Sequence, residues 1–309
     1  MLKQNSKPNS YQSVAEKNIT VVIPTLNEEE AIGKVLNELQ SLGFKNIVVV
    51  DGYSTDKTVE IAKQFGVKTI SQHGKGKTGA LKTAIEHIET PYLLVMDGDY
   101  TYDASCINRF IQHLDGYDEI IGARIADDTN PMSFLHIYGN KIITKLFNNL
   151  MGTSLSDLCS GMYVVRTKAL QSIDLSTTGF DVEAEIAAQI ASLGRITEVP
   201  INYRSRLGKQ KLSTWKHGYK IVKSILRLGK LYNPGTFYSI LGKSFMIPVS
   251  LMILLSVVGQ YFTNDDASLL FMNISIILVL MQVTLALVMT NTRRRNLRTH
   301  DVLQQKVVQ

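Results

Sequence analysis

The sequence predicts an α/β domain in which a mostly parallel sheet is flanked by helices, followed by two membrane helices. Between residues 19 and 96, short apolar runs of strand length alternate with segments of helical apolar spacing. This alternation is typical of a Rossmann-like parallel sheet covered on both faces. Further along, residues 244–262 and 268–290 contain no charged side chain. Uncharged stretches of this length indicate membrane-spanning helices.

The first half of the sheet is predicted from four almost continuously apolar strands and the helices between them. The strands are placed at residues 19–23, 46–50, 67–71 and 92–96, and the helices at residues 28–42, 56–65 and 78–88. Beyond residue 103 the pattern is less regular. It predicts strands at residues 120–124, 162–165 and 196–203, and helices at residues 134–150 and 182–193. Pro200 places the last of these strands at a sheet edge.

The length and composition fit one large domain with an appendage. The chain has 309 residues, is 45% hydrophobic and carries a net charge of +6. This charge suits phosphorylated substrates, anionic lipid or nucleic acid. The two cysteines, Cys106 and Cys159, lack the spacing of metal ligands, so we expect neither a zinc site nor a disulfide framework.

The C-terminal third changes character from globular to membrane-like. At the helical rise, the two uncharged stretches would span roughly 28 and 35 Å, close to the hydrocarbon thickness of a bilayer. Basic clusters precede the first stretch and follow the second, which places both ends on the cytoplasmic side. The alternative is a pair of buried core helices. Residues 213–231 mix apolar and basic side chains, which predicts an interfacial amphipathic helix or else a connecting helix packed on the domain.

These patterns divide the chain into five segments. Residues 1–17 are polar and are expected to form a disordered tail. The remaining segments are the α/β domain at 18–212, interfacial amphipathic helices at 213–243, two transmembrane helices at 244–290 and a basic cytoplasmic tail at 291–309.

Two carboxylates, Asp97 and Asp99, follow the fourth predicted strand. Side chains so close together repel each other unless a cation lies beside them. Mg²⁺ and Mn²⁺ use few carboxylates and share their remaining sites with phosphate groups. The pair therefore predicts a metal and diphosphate site, with an acidic turn as the alternative.

Polar residues also follow the first two strands. Thr25, Asn27 and Glu28 end the first strand, and Asp51 ends the second. Ligands of open parallel sheets bind beyond the carboxyl ends of the strands. The agreement of three strand ends predicts one site along this edge.

A glycine-rich segment, residues 74–79, contains Lys75 and Lys77 just before a predicted helix. It is not a P-loop, because Ser71 stands where the first glycine of that motif is required. Backbone N–H groups and two lysines at a helix start suit a diphosphate. A flexible basic loop is the alternative.

The segments 21–28, 49–56, 74–77 and 96–99, in this order and spacing, resemble family 2 glycosyltransferases with a GT-A fold. Segments 122–124, 157–166 and 203–212 are similar to dolichol-phosphate mannose synthases and related polyprenyl-phosphate hexosyltransferases. The resemblance covers about residues 19–212, and two membrane helices fit the same group.

The resemblance implies roles for residues on the donor side. Asp51 would contact the nucleobase, while Asp97 and Asp99 would engage the metal and the donor diphosphate. Four further residues would line the nucleotide pocket: Pro24, Thr25, Asn27 and Glu28.

The resemblance also implies that Arg124 contacts a phosphate of either the donor or the acceptor, and that Asp157 and Ser160 border the acceptor side. Arg206 and Lys211 would come from a mobile loop that closes over the reactants. This loop departs from the family pattern at residue 210, where glutamine replaces the usual serine.

The implied activity is an inverting transfer of a hexose onto a membrane polyprenyl or dolichyl phosphate, with Mg²⁺ or Mn²⁺ as cofactor. GDP-mannose is the favoured donor and UDP-glucose the rival. A lipid phosphate is already ionised, so it needs positioning and not a strong base. A non-catalytic membrane scaffold is the less favoured alternative, and a processive polysaccharide synthase is disfavoured because the surroundings of Trp215 do not match its motif. We expect no nucleic acid partner, and a homo-oligomer is left open.

Overall fold

The computed structural model describes residues 18–125, 134–177, 179, 181–208, 214–263, 273–274, 276–281 and 284. The chain divides into two compact units, Met1–Leu228 and Gly229–Gln309. The predicted tails at residues 1–17 and 291–309 lie outside the described residues, as does Lys211.

In the described part of the first unit, seven strands form one sheet in the order β3-β2-β1-β4-β6-β5-β7. Strands β1 to β4 are parallel to one another, β6 runs antiparallel to both of its neighbours, and β7 is parallel to β5. The predicted mostly parallel sheet is confirmed. The strands are β1 (Ile19–Thr25), β2 (Ile47–Asp51), β3 (Lys68–Ser71), β4 (Tyr92–Val95), β5 (Glu119–Arg124), β6 (Tyr163–Arg166) and β7 (Ile196–Ile201).

Helices connect the strands. Those of the first unit follow the predicted positions, with two additional short helices, α4 and α6, and two short 3₁₀ turns. The helices are α1 (Ile32–Ser41), α2 (Thr58–Gln64), α3 (Gly76–Ile85), α4 (Ile107–Ile111), α5 (Phe134–Met151), α6 (Thr167–Gln171), α7 (Val182–Leu193), α8 (Thr214–Tyr232) and α9 (Pro234–Thr263).

The core lies between the sheet and its flanking helices. Strand β4 is buried along its whole length, which explains its uninterrupted apolar sequence. Helix α1 buries Ile32, Val35, Leu36 and Leu39, the positions that helical spacing places on one face. The chain leaves this helix through Gly43, whose φ of 92° is readily adopted only by glycine.

The strand order reverses between β1 and β4, because the chain runs outward from β1 through β2 to β3 and then returns to the other side of β1. Such a switch point opens a crevice beyond the carboxyl ends of the strands. The strands that meet there carry the polar residues predicted to form the site. At the other end of the sheet, β7 is the edge strand, as Pro200 predicted.

The predicted membrane helices remain predictions. Within the described residues, no helix combines the length and the apolar character that a membrane crossing requires. The first predicted span, 244–262, lies within α9, and most of the second, 268–290, lies outside the described residues.

Part of the predicted interfacial segment makes protein contacts. In α8, Ile225 and Leu228 are buried, and the Ser224 hydroxyl donates to the carboxylate of Asp181 at the start of α7. These contacts favour a connecting helix for residues up to Leu228. An interfacial role for the segment stays a prediction.

We expect Leu94→Ala to lower the free energy of unfolding by about 2–5 kcal/mol, because it leaves a cavity in the central strand β4, where Leu94 is fully buried. Leu193→Ala, which truncates a side chain that is 60% exposed, is the matched control. Chemical denaturation of the full chain in detergent measures both. Equal losses from the two variants would contradict the placement of the core.

Candidate active site

The carboxyl ends of β1, β2 and β4 form one continuous edge. Thr25 lies opposite Asp51 in the β1–β2 register, and the backbone N–H of Met96 donates to Val22, so the sheet continues to the residue before Asp97. The predicted convergence of these three strand ends is present in the structure.

Three non-glycine residues beyond these strand ends adopt left-handed backbone conformations. They are Asn27 (φ 51°), Tyr53 (φ 67°) and Tyr100 (φ 66°), which follow β1, β2 and β4. This conformation is sterically unfavourable for residues with a Cβ atom. Such strain concentrates at functional sites, and here it marks the same edge as the polar side chains.

Two buried acceptors beside β1 and β2 have no hydrogen-bond partner among the described residues. Asp51 accepts from the backbone N–H of Ser54 (2.9 Å) through Oδ2, while its Oδ1 is unpaired. The hydroxyl of Thr25 is also buried and unpaired. Because an unsatisfied buried polar atom is costly, these two oxygens are suited to a ligand that donates hydrogen bonds.

Asp97 lies beside a buried lysine from the glycine-rich segment. Lys77 Nζ is 2.6 Å from Asp97 Oδ1 and 2.7 Å from Glu183 Oε1. Burial tends to lower the pKa of Lys77, but the carboxylates of Asp97 and Glu183 hold that pKa well above its usual value. Lys77 is therefore an ammonium cation shared between two carboxylates.

Asp99 is held from two sides. Its Oδ1 accepts from the backbone N–H (3.1 Å) and hydroxyl (2.6 Å) of Thr101, and its Oδ2 pairs with Arg206 Nη1 at 2.6 Å. Burial, followed by the negative charge of Asp97, raises the pKa of Asp99. Arg206 also contacts Glu28 Oε1 at 2.6 Å, so this guanidinium links the ends of β1 and β4.

Gly161 packs directly against the carboxylate of Asp97. A Cβ atom at this position would lie 2.0 Å from Asp97 Oδ2, so only glycine fits without displacing the carboxylate. The backbone N–H of Gly161 donates to the hydroxyl of Tyr102 at 2.6 Å. The segment leading into the antiparallel strand β6 thus forms one wall of the site.

A second charged pair lies at the end of β5. Arg124 binds both oxygens of Asp157, at 2.6 Å through Nε and 2.8 Å through Nη2. Asn140 of α5 donates to the same carboxylate at 2.8 Å, and the Arg124 guanidinium lies over the ring of Tyr203. Although burial tends to raise the pKa of Asp157, the Arg124 charge and these hydrogen bonds lower it.

The donor set suits a small divalent cation that shares its coordination with a ligand. Among the described residues, no group of three or more His, Cys, Asp and Glu side chains gathers as a metal site. Mg²⁺ and Mn²⁺ are commonly bound by one or two carboxylates together with phosphates. Asp97 and Asp99 supply two carboxylates of this kind, and the Asp97 side chain is 33% exposed, so part of it remains accessible to a ligand.

Comparisons with known proteins identify the family. The profile of glycosyl transferase family 2 matches residues 20–174. A dolichyl-phosphate hexose transferase of Haloferax volcanii is 36% identical over 214 residues, covering 68% of this chain and 93% of the relative. The chain belongs to glycosyl transferase family 2. A dolichol-phosphate mannosyltransferase of Pyrococcus furiosus is 26% identical to this glycosyltransferase over 284 residues, which cover 80% of each chain.

Solved structures share the fold of this glycosyltransferase. Glucosyl-3-phosphoglycerate synthase from Mycobacterium tuberculosis, solved in complex with Mn²⁺, UDP-glucose and phosphoglyceric acid, aligns with a TM-score of 0.61 and 18% identity. The alignment covers 72% of this chain and 86% of the synthase. The predicted GT-A-like α/β fold is confirmed.

The structure brings most of the predicted donor-side residues of the glycosyltransferase to one edge, together with Arg206 from the predicted loop. Lys75 differs from Lys77 in being exposed, at the residue before α3. Pro24 lies within β1, opposite Val50. The residues at the shared edge are Thr25, Asn27, Glu28, Asp51, Lys77, Asp97, Asp99 and Arg206.

The predicted acceptor-side residues form a separate group at β5 and β6. Arg124 and Asp157 are bound to each other, and the buried Ser160 accepts weakly from the backbone N–H of Met162 at 3.4 Å. Their contact with an acceptor stays a prediction, as does the role of Lys211, which lies outside the described residues.

Glu183 was not predicted from the sequence. Acidic residues in the first turn of a helix, such as Glu183 and Glu185 in α7, are common because their negative charge interacts favourably with the helix dipole. The available signal in the sequence was the mostly apolar composition of residues 182–190, which indicates a buried helix. The structure shows that all of these residues are buried. A carboxylate on such a helix requires a partner, which here is Lys77.

We expect Gly161→Ala to reduce transfer activity about 100-fold, because the new methyl group would displace the Asp97 carboxylate, and a shift of about 1 Å has effects of this size. Gly116→Ala is the control, since a Cβ atom there meets nothing within 4 Å. Steady-state sugar transfer measures both variants. Full activity of Gly161→Ala would contradict the close packing on Asp97.

The Arg124–Asp157 pair predicts a pH dependence of stability. The pKa of Asp157 is lower in the folded protein than its ordinary value of 3.8, so its stabilising contribution is present above about pH 4 and is lost as the pH falls through the folded pKa. Asp157→Asn should cost about 3 kcal/mol at pH 7, because it leaves Arg124 as an unpaired buried charge.

Denaturation of the wild type and Asp157→Asn between pH 3 and pH 7 measures this contribution. The difference in unfolding free energy between them should shrink below about pH 4. Asp174→Asn, which changes an exposed carboxylate, should show no such trend. A constant difference across the range would exclude the pair as its source.

Proposed function

We propose that this glycosyltransferase moves a hexose from a nucleotide sugar onto a membrane polyprenyl or dolichyl phosphate, with inversion at the anomeric carbon. GDP-mannose is the favoured donor and UDP-glucose the alternative. The observation that carries the proposal is the shared edge of the sheet, which holds the unpaired Asp51 oxygen and the Asp97 and Asp99 carboxylates. These groups match the two ends of a nucleoside diphosphate, and the names of the two relatives support the acceptor.

Asp51 would recognise the nucleobase. Its Oδ1 is buried and unpaired among the described residues, and the unpaired hydroxyl of Thr25 lies on the neighbouring strand. Uracil and guanine both present a ring N–H that can donate a hydrogen bond to a carboxylate oxygen. The pocket therefore supports a nucleotide donor and leaves the base open.

The diphosphate would lie toward Asp97 and Asp99, which would hold Mg²⁺ or Mn²⁺. When bound, such an ion neutralises the negative charge that develops on the leaving diphosphate. Lys77 and Arg206 place two further positive charges at the same carboxylates. Charge of this kind, fixed before the reaction, lowers the barrier for loss of an anionic leaving group.

The acceptor phosphate would bind near Arg124. Asp157 fixes this guanidinium through Nε and Nη2, and Nη2 also donates to the carbonyl oxygen of Cys159, so the positive charge is held in one orientation at the end of β5. An ionised phosphate attacks without a general base, so orientation is the main requirement. Attack in line with the departing diphosphate gives a β-linked product from an α-linked donor.

Membrane attachment through residues 244–290, with the catalytic domain on the cytoplasmic side, completes the proposal. It is supported by the two uncharged stretches and by the basic clusters on either side of them. Such an anchor would hold the enzyme at the surface where the lipid phosphate lies.

The direct test is to reconstitute the full chain in vesicles that contain polyprenyl phosphate and to supply labelled GDP-mannose or UDP-glucose with Mg²⁺ or Mn²⁺. We expect one donor to label the lipid fraction and chelation by EDTA to stop the reaction. Absence of labelled lipid with both donors would refute the proposed function.

We expect Asp51→Asn to weaken binding of the preferred nucleoside diphosphate about 10- to 100-fold, because an amide replaces a charged acceptor. Binding of inorganic pyrophosphate, which has no base, should not change. Calorimetric titration measures both ligands, with Asp115→Asn as a control on an exposed carboxylate. An equal loss of nucleotide and pyrophosphate binding would argue against base recognition by Asp51.

A further inference from the structure

We propose that Glu183 is a positioning residue that restrains Lys77, so that the Lys77 ammonium does not fully occupy the Asp97 carboxylate that the metal and donor require. The inference rests on the proposed function, because it assumes a metal at Asp97. It assigns to Glu183 a task in that site although Glu183 does not touch the reacting groups.

The geometry is that of a cation shared between two anions. Lys77 Nζ lies 2.6 Å from Asp97 Oδ1 and 2.7 Å from Glu183 Oε1. The lysine side chain is only 8% exposed and that of Glu183 only 11%. Water therefore screens these contacts weakly. The strength of the Lys77–Asp97 interaction then depends strongly on the negative charge of Glu183.

The side chains of Lys77, Asp97 and Glu183 come from different elements, so the tertiary fold brings them into contact. Lys77 stands in the first turn of α3, Asp97 follows β4, and Glu183 stands in the first turn of α7. On its other side, Asp97 is confined by Gly161, whose position leaves no room for a Cβ atom. The carboxylate of Asp97 is thus held between a backbone wall and the shared ammonium.

Glu183 is the group that divides the charge of Lys77. Burial, followed by the charge of Glu183, raises the pKa of the buried Glu119 well above its ordinary value. Among the described residues, the ion pairs of Lys77 are those with Asp97 and Glu183. Without the charge of Glu183, Lys77 would pair with Asp97 alone and would oppose binding of any other cation to the same oxygen.

The test measures binding of Mn²⁺ to the full chain in detergent, without nucleotide, by the loss of the free-ion EPR signal. We expect Glu183→Gln to raise the dissociation constant about tenfold, the effect typical of one charged hydrogen bond. Asp181→Asn removes the same charge from the residue just before the same helix, where the carboxylate accepts from the Ser224 hydroxyl, and should change the constant less than about twofold. It controls for the general loss of negative charge.

A double-mutant cycle with Lys77→Met separates restraint of the lysine from a merely structural effect. If Glu183 acts through Lys77, adding Glu183→Gln to Lys77→Met should change Mn²⁺ affinity less than about twofold. An equal effect with and without Lys77, or wild-type affinity in Glu183→Gln, would overturn the inference and leave the proposed function standing. Absence of Mn²⁺ binding by the wild type would overturn the proposed metal site as well.

A conservative variant keeps the test usable where Glu183→Gln does not fold. Glu183→Asp retains the charge but withdraws the carboxylate from Lys77 by one methylene group. We expect a dissociation constant between those of the wild type and a charge-free variant, and a circular dichroism spectrum like that of the wild type. Unchanged Mn²⁺ affinity in a folded Glu183→Asp protein would contradict restraint by direct contact.

Discussion

The repulsion between the carboxylates of Asp97 and Asp99 is the constraint around which the site is built. The two residues stand one glycine apart, and burial together with Asp97 raises the pKa of Asp99. Each carboxylate is paired with its own cation: Lys77 binds Asp97, and Arg206 binds Asp99. Because these cations come from segments far apart in the sequence, the carboxylates tie α3 and the segment after β7 to the end of β4.

The segment that enters the antiparallel strand β6 connects the carboxylates of the site with Arg124. Strand β6 lies between β4 and β5, so the chain that enters it must pass the end of β4, where Gly161 meets Asp97. The same segment carries Asp157, which holds Arg124 at the end of β5. The segment that enters β6 therefore lies between two parts of the site. The carboxylates of Asp97 and Asp99, each paired with a cation, lie on one side of it, and the guanidinium of Arg124 lies on the other.

The sequence predicted local structure well and long-range pairing less well. Strands β1 to β4 lie within two residues of their predicted bounds, because their apolar and β-branched residues are bounded by proline, glycine or polar residues. The five-residue helices α4 and α6 were missed, since they are too short to show a helical period. The direction of β6 was likewise not predicted, because pairing depends on residues far away in the chain.

The site was predicted where residue type and strand position agree, as at Asp51, Asp97 and Asp99. Lys77 was predicted as a phosphate-binding residue, and the structure adds its two carboxylate partners. Glu183 was missed because its partner lies more than one hundred residues earlier. A sequence pattern shows which side chains are charged, whereas burial and distance decide which charges must meet.

The left-handed residues Asn27, Tyr53 and Tyr100 have a consequence for how this enzyme can change. Each costs about 1–3 kcal/mol relative to a relaxed backbone, and a domain of this kind has about 5–15 kcal/mol of net stability. Glycine would relieve the strain but would loosen the loops that shape the pocket. A glycine substitution at one of these positions would therefore raise the stability of the protein and lower its activity together. Selection for thermostability alone would reduce the activity.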